Sequence, residues 1–237
     1  MATFQFKQFT INQDKTAMKV GTDGVLLGAW APTENHPFSI LDIGTGTGVI
    51  ALMLAQRTAA QQIDALEIDE SAYEQAVDNF ENSPWSDRLF CFHAGLDEFI
   101  DEPEDEYDLI VSNPPFYAED YKTENQQRDL ARFQDAMPFE DLIEAADLLL
   151  SESGILAIII PYKEEQKFIS LAKDFELFPT KITRVKGMPT TEIKRSLLAL
   201  SRNETIDFSV DELIIETARH EYTPEYIALT KDFYLKM

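Results

Sequence analysis

Apolar residues in this chain gather into short unbroken runs, and between the runs they recur at helical spacing. "SILDIG" (39–44), "IDALEI" (63–68), "LFCFHA" (89–94), "YDLIVS" (107–112) and "GILAIIIP" (154–161) read as buried strands. "GVIALMLAQR" (48–57) reads as a helix that is apolar nearly all round. In 70–82, Tyr73, Ala76, Val77 and Phe80 follow the i, i+3, i+4, i+7 pattern of one helix face. Phe139, Leu142, Ile143, Ala146 and Leu149 mark a helix ending near Gly154, and Phe168, Leu171, Ala172 and Phe175 mark another. Near-continuous apolar strands alternating with helices predict an α/β fold: a doubly wound, mostly parallel sheet covered on both faces.

The tail changes style. "TKITRVKG" (180–187) and "RSLLALSR" (195–202) flank "MPTTEIK" as two antiparallel strands, and "DELIIET" (211–217) suggests a further one. Thr223 is a plausible N-cap with Pro224 in the first helical position, so the chain should close on a short helix. A length of 237 residues with 44% apolar content suits one core, so 1–237 reads as a single domain with 180–237 as hairpin plus closing helix.

Composition narrows the setting. The lone cysteine, Cys91, allows no internal disulfide and fits a reducing compartment. The start "MATFQFKQFTINQDK" lacks a charged-then-apolar targeting pattern, and "ILAIIIP" (155–161) is too short to span a bilayer. A cytoplasmic protein with no membrane partner is expected. The net charge of −23 argues, as a total, against nucleic acid. Its distribution argues otherwise: Lys181, Arg184, Lys186, Lys194, Arg195 and Arg202 stand against a single acid, Glu192, between 181 and 202. That stretch is either a solvated hairpin or a basic face.

"LDIGTGTG" (41–48) ends one strand and opens a helix. Glycines there let backbone N–H groups approach a ligand at a helix N-terminus. The dinucleotide fingerprint fails, because Val49 stands three residues after Gly46 where Gly or Ala is needed. A phosphate-binding P-loop fails too, for lack of Gly-Lys-Ser/Thr. Glu67, at the end of the second strand, is positioned to accept both hydroxyls of a ribose. Asp42, just before the turn, is placed to meet a cationic amino group. A ribose, a loop-cradled tail and a positive charge together describe S-adenosylmethionine.

At this point the chain resembles the class I S-adenosylmethionine-dependent methyltransferases. Asp42, Gly44, Gly46 and Gly48 match the superfamily's first motif, and Glu67 its ribose-binding acid. "AGL" (94–96) matches the segment that packs on the adenine, so Ile68, Gly95 and Leu96 are the implied adenine contacts. Many members carry an aspartate where Gly95 aligns; Asp97 follows two residues later, and backbone contacts are the implied substitute.

"NPPFY" (113–117) follows "YDLIVS". Two prolines stiffen the strand end, which serves either a plain rigid turn or a fixed set of groups around a ligand. In the superfamily this motif accompanies methyl transfer to a planar conjugated nitrogen, with Asn113, Pro114, Pro115 and Phe116 as the implied catalytic set. The Asn113 carboxamide and the Pro114 carbonyl would accept the two amine protons, and Phe116 would stack on the base.

Further, "FKQFTINQDKTAMKVGTDGVLLGAWA" (6–31), "NPPFY" and "YTPEYIALTKDFYLKM" resemble the bacterial tRNA1(Val) (adenine-37 N6)-methyltransferase family over nearly the whole chain. The likeness implies a tRNA anticodon stem-loop as partner, no metal, and residues 1–31 as a lid-like segment bringing Lys19, Thr22 and Asp23 over the cofactor. Lys122, Arg128 and Arg132 are then either phosphate contacts or a salt-bridged surface. Lys181, Arg184, Lys186, Lys194 and Arg195 are the implied basic RNA face. Methylation of another conjugated nitrogen (a ribosomal-RNA guanine or a protein glutamine) and a non-catalytic cofactor-binding scaffold are the competing expectations.

Overall fold

A computed structural model of the chain describes residues 3–101, 106–115, 137–204 and 208–237. Phe116, Lys122, Arg128 and Arg132 lie outside the described residues. The chain opens with a small antiparallel hairpin, β1 (Thr3–Gln5) and β2 (Thr10–Asn12), then helix α1 (Thr22–Trp30). A strand–helix succession follows: β3 (Ser39–Ile43), α2 (Val49–Arg57), β4 (Gln62–Glu67), α3 (Glu70–Glu81), β5 (Leu89–His93), α4 (Leu96–Ile100) and β6 (Tyr107–Ser112). The next described segment holds α5 (Phe139–Leu149), β7 (Leu150–Pro161), a 3-10 turn (Tyr162–Glu164) and α6 (Glu165–Asp174). The tail supplies β8 (Phe178–Lys186), β9 (Ile193–Ser201), β10 (Ser209–Ile214), the small pair β11 (Glu216–Ala218) and β12 (Glu221–Tyr222), and α7 (Pro224–Thr230).

The main sheet has eight strands in the order β10-β8-β9-β7-β6-β3-β4-β5. β7 through β5 run parallel; β9 is antiparallel to both of its neighbours, and β10 rejoins parallel to β8 at the edge. The expected mixed architecture is therefore present. Its central strands carry apolar residues on both faces because each face is covered. One face packs on α1 and α2 through Leu27, Leu52, Val111 and Ile159; the other packs on α5 and α6 through Ile110, Ile143, Ile158 and Phe168.

Order reverses at β3: β4 lies on one side of it and β6 on the other. The ends of β3, β4 and β6 thus open a crevice at the carboxyl edge, where ligands of doubly wound sheets bind. The termini meet behind this arrangement. Phe6 stacks on Phe9 and Tyr234, the Lys7 amide donates to the Phe233 carbonyl, and Thr223 caps α7 by accepting from the Tyr226 amide.

Two local expectations need correction. α5 does not reach Gly154; it stops at Leu149 and β7 starts at once. The register against β6 jumps from Tyr107↔Leu150 to Leu109↔Ile155, so 151–154 form a bulge. Gly154 is required there, since a Cβ would stand 2.8 Å from the Tyr107 carbonyl oxygen. In α3 the buried face is Ala72, Gln75, Ala76, Asn79 and Phe80; Tyr73 turns outward and stacks on His93.

Candidate active site

The glycine loop is shaped by three left-handed residues: Gly44, Gly46 and Gly48 have φ of 72°, 58° and 78°. Side chains are disfavoured there, but the glycines serve different ends. A Cβ on Gly44 or Gly46 would meet nothing within 4 Å, so both turn a bare Cα toward open space. A Cβ on Gly48 would lie 2.5 Å from the Phe80 ring, so this glycine lets α2 pack on α3.

Four of the five amides from Gly44 to Gly48 are engaged within the protein instead of standing free as an N–H cradle. The amides of Gly44 and Thr45 donate to the Leu66 carbonyl, and that of Gly48 to the Thr45 carbonyl. The Gly46 amide donates to the Glu67 carboxylate at 2.8 Å, and the Asp69 amide to its other oxygen at 3.0 Å. Glu67 therefore ties the loop to the end of β4. Each of its oxygens keeps a second lone pair for an outside hydroxyl.

Asp42 also differs from expectation. It is 0% exposed and lies behind the loop, not on the cleft wall. One of its oxygens accepts from the Thr45 hydroxyl at 2.6 Å and from the Ala51 amide in the first turn of α2. The other is buried with no hydrogen-bond partner among the described residues. Burial pushes its carboxyl up to about 7, against the two hydrogen bonds that hold it down.

A cleft of ≈ 340 Å³ lies between the loop and the N-terminal segment. Met18, Lys19, Thr22 and Asp23 form one wall, Gly44 to Thr47 another, and Asn113 closes the end nearest β6. Buried amides place that N-terminal wall. Asn79 of α3 donates to the carbonyls of Thr47 and Asn12 and accepts from the Asn12 amide. Gln75 accepts from the amides of Asp14 and Lys15. Neither residue was read from the sequence as functional. The signal was available: two amide side chains four residues apart on the apolar face of a helix need partners.

Beyond the cleft, along the same edge, Ile68 is 67% exposed after Glu67. Its Cδ1 lies 3.7 Å from the place of a Cβ on Gly95, so 68 and 95 form one apolar ledge beside Leu96. An Asp97 oxygen stands only 2.6 Å from that same place, which brings a carboxylate back to the ledge. At the other end, Ser112 anchors the strand tip by donating to the Ile43 carbonyl, followed by half-buried Asn113 and buried Pro114.

The hairpin cations are not gathered on one face. Alternation along β8 sends Lys181 toward α1, where its amine lies 4.9 Å over the Trp30 ring. Arg184 points to the opposite face and forks onto Glu165, at 3.1 and 2.7 Å. Lys186 pairs with Glu212 at 2.8 Å, and Arg195 with Asp23 at 2.8 Å. Of the five, only Lys194 is exposed with no acidic partner among the described residues. Arg88, the lone base of the acidic 64–108 stretch, donates to the carbonyls of Ala55, Thr58 and Ala60 and so serves the end of α2.

Open glycine faces, an unpartnered buried carboxylate oxygen beneath them and an apolar ledge next to Glu67 fit S-adenosylmethionine. Comparisons with known proteins agree. Residues 25–183 match the family model of the methyltransferase small domain. A relative from Flavobacterium johnsoniae is 80% identical over 99% of this chain and all of its own length. It is described as a tRNA1(Val) (adenine(37)-N6)-methyltransferase. Relatives of the same description from Flavobacterium psychrophilum and Christiangramia forsetii are 77% and 60% identical, each over 99% of the chain. Among solved structures, a predicted O-methyltransferase from Agrobacterium tumefaciens superposes with a TM-score of 0.69 at 20% identity, covering 89% of this chain and 96% of its own. With the glycine loop, Glu67 and the Asn-Pro-Pro strand end on one edge of its sheet, the chain belongs to the tRNA1(Val) (adenine(37)-N6)-methyltransferase family of class I S-adenosylmethionine-dependent enzymes.

Proposed function

We propose that this protein methylates the exocyclic N6 amine of adenine 37 in tRNA1(Val), and that Asn113 and the Pro114 carbonyl are the groups that make the amine react. S-adenosylmethionine supplies a methyl group on a sulfonium that is already a good leaving group. The chain's own task is therefore positioning. The open Cα faces of Gly44 and Gly46 admit the donor's tail, with Lys19 and Thr22 across the cleft. Glu67 accepts from the ribose hydroxyls, which requires it to share or release the Gly46 amide. Asp42 acts from behind, holding the loop's shape through the Thr45 hydroxyl and the Ala51 amide, and Ile68, Gly95 and Leu96 bear the adenine ring. Asp97 gives the ledge the acceptor that residue 95 lacks.

The acceptor nitrogen is a weak nucleophile because its lone pair is delocalised into the ring. Hydrogen bonds from its two protons to Asn113 and Pro114 favour a pyramidal nitrogen with its lone pair toward the methyl carbon. One N–C bond forms as the S–C bond breaks. The nitrogen then releases one proton to water, so no strong base is needed. Phe116 is the proposed stacking partner of the flipped base.

The observation that carries this reading is the position of Asn113: it closes the cleft at the end of β6, next to the glycine loop of β3. Incubation with labelled methyl donor and total tRNA from a strain lacking the gene, followed by nucleoside mass spectrometry, tests it. N6-methyladenosine in the valine tRNA is the expected product. Label on guanine, on protein, or nowhere would overturn the assignment. The reading also puts the enzyme in the cytoplasm, where its substrate is; among the described residues no helix is long and apolar enough to cross a membrane.

A further inference from the structure

We propose that Tyr162 and Arg184 form a stacking shelf for a nucleobase next to the methylated adenine. This rests on the RNA reading above and extends it. Strand order sets the geometry: the glycine loop and Glu67 lie on β3 and β4, to one side of Asn113, whereas β7, β9 and β8 lie to the other. RNA reaching Asn113 from opposite the methyl donor must cross the ends of those three strands. β7 is one strand, about 5 Å, from the strand that ends in Asn113.

At its end β7 turns through Pro161 into Tyr162, a residue 38% exposed. The Arg184 guanidinium carbon lies 5.4 Å from the centre of that ring. Arg184 cannot swing away. Glu165, 1% exposed at the start of α6, takes its fork at two oxygens and also accepts from the Ser196 hydroxyl at 2.6 Å. Burial alone would raise the Glu165 carboxyl, but the donors from Arg184 and Ser196 hold it below its usual range. The ladder fixes the row as well, since Ser196 pairs with Ile160 on one side and Arg184 on the other.

The guanidinium is thus a fixed plane whose charge is already spoken for. That suits stacking better than phosphate binding, the role its sequence position suggested. Splayed bases of single-stranded RNA stack on aromatic rings and on guanidinium planes. Exposed Lys194 stands two residues before Ser196, at the bulge where β9 leaves the β8 register, and is a candidate phosphate contact near such a base.

The test is steady-state methylation of the anticodon stem-loop by wild type, Tyr162→Ala and Tyr162→Phe. It is repeated on stem-loops lacking the base on either side of the target adenine, with cofactor affinity and melting temperature as controls. Loss of one stacked base is worth about 1–3 kcal/mol, or roughly 5- to 150-fold in KM. Tyr162→Ala should raise KM by that factor with kcat at saturating RNA little changed, and Tyr162→Phe should stay near wild type. Removing one flanking base should raise KM for wild type and add nothing in Tyr162→Ala. An unchanged KM in Tyr162→Ala, an equal loss in Tyr162→Phe, or effects of base and ring that simply add would overturn the shelf. If wild type binds cofactor yet methylates no stem-loop, the RNA reading itself falls, and the shelf with it.

Discussion

The cofactor half and the hairpin half of this sheet use their residues in opposite ways. Around β3 and β4 the site is built from backbone: two glycines with open faces, a third closed on Phe80, and carboxylates that hold the loop. Around β8 and β9 it is built from side chains, and most of those are already paired. Arg184, Lys186 and Arg195 each meet a carboxylate, and Lys181 lies on Trp30. Groups dense in sequence need not be dense on a surface. A strand sends neighbouring residues to opposite faces, so a run of cations is split in two before any partner is counted. The backbone loop has no such ambiguity, because its chemistry follows from contiguous dihedral angles.

The comparison is broken most forcefully at the point where the halves meet. Asn113→Ala should fold and keep cofactor binding, since Asn113 closes the cleft without anchoring the loop. Its single-turnover methyl transfer should fall by at least about 100-fold, the scale of a lost preorganised acceptor or donor at a reacting group. Rapid-quench measurement with saturating tRNA checks this, and a rate near wild type would remove Asn113 from the chemistry.

Glu67→Ala comes next. It removes the proposed ribose acceptor and also the partner of the Gly46 and Asp69 amides. Cofactor affinity should fall by about 1.5–3 kcal/mol. Calorimetry of the folded variant measures the loss, and Glu67→Gln should recover part of it because an amide oxygen still accepts. Equal affinity in all three proteins would mean that the loop, not the carboxylate, recognises the ribose.

The same contrast explains what could be read from the chain in advance. The parallel strands and the glycine turn were legible because burial on both faces leaves near-continuous apolar runs, and positive φ leaves glycines. The start of β7 was not. "DLLLSESG" continues the helical phase of α5, and only the Tyr107 carbonyl against Gly154 reveals a bulge. The adenine ledge was half legible. Gly95 departs from the superfamily pattern, but that Asp97 folds back beside it depends on a short helix, α4, with no periodicity to announce it. Asp42, placed by the sequence where it could meet a cationic amino group, is buried instead. A strand-end acid looks the same in sequence whether it faces the ligand or, as here, the first turn of the following helix.

The smallest effect separates the two faces of the hairpin. Each cation that contacts a phosphate releases counterions and contributes roughly 0.7–0.9 to the slope of log affinity against log salt, the lower figure holding for single strands. Lys194, exposed near the start of β9, is free to make such a contact. Lys181, held over Trp30 on the face packed by α1, is not. Lys194→Gln should therefore lower the salt slope of tRNA binding by a little under one unit and weaken affinity at low salt most. Lys181→Gln should leave both slope and affinity where they were. Fluorescence titrations across a salt series distinguish the two. A slope loss shared equally by both variants would show RNA bridging the sheet edge onto both faces, and the unified basic patch suggested by the sequence would have to be restored.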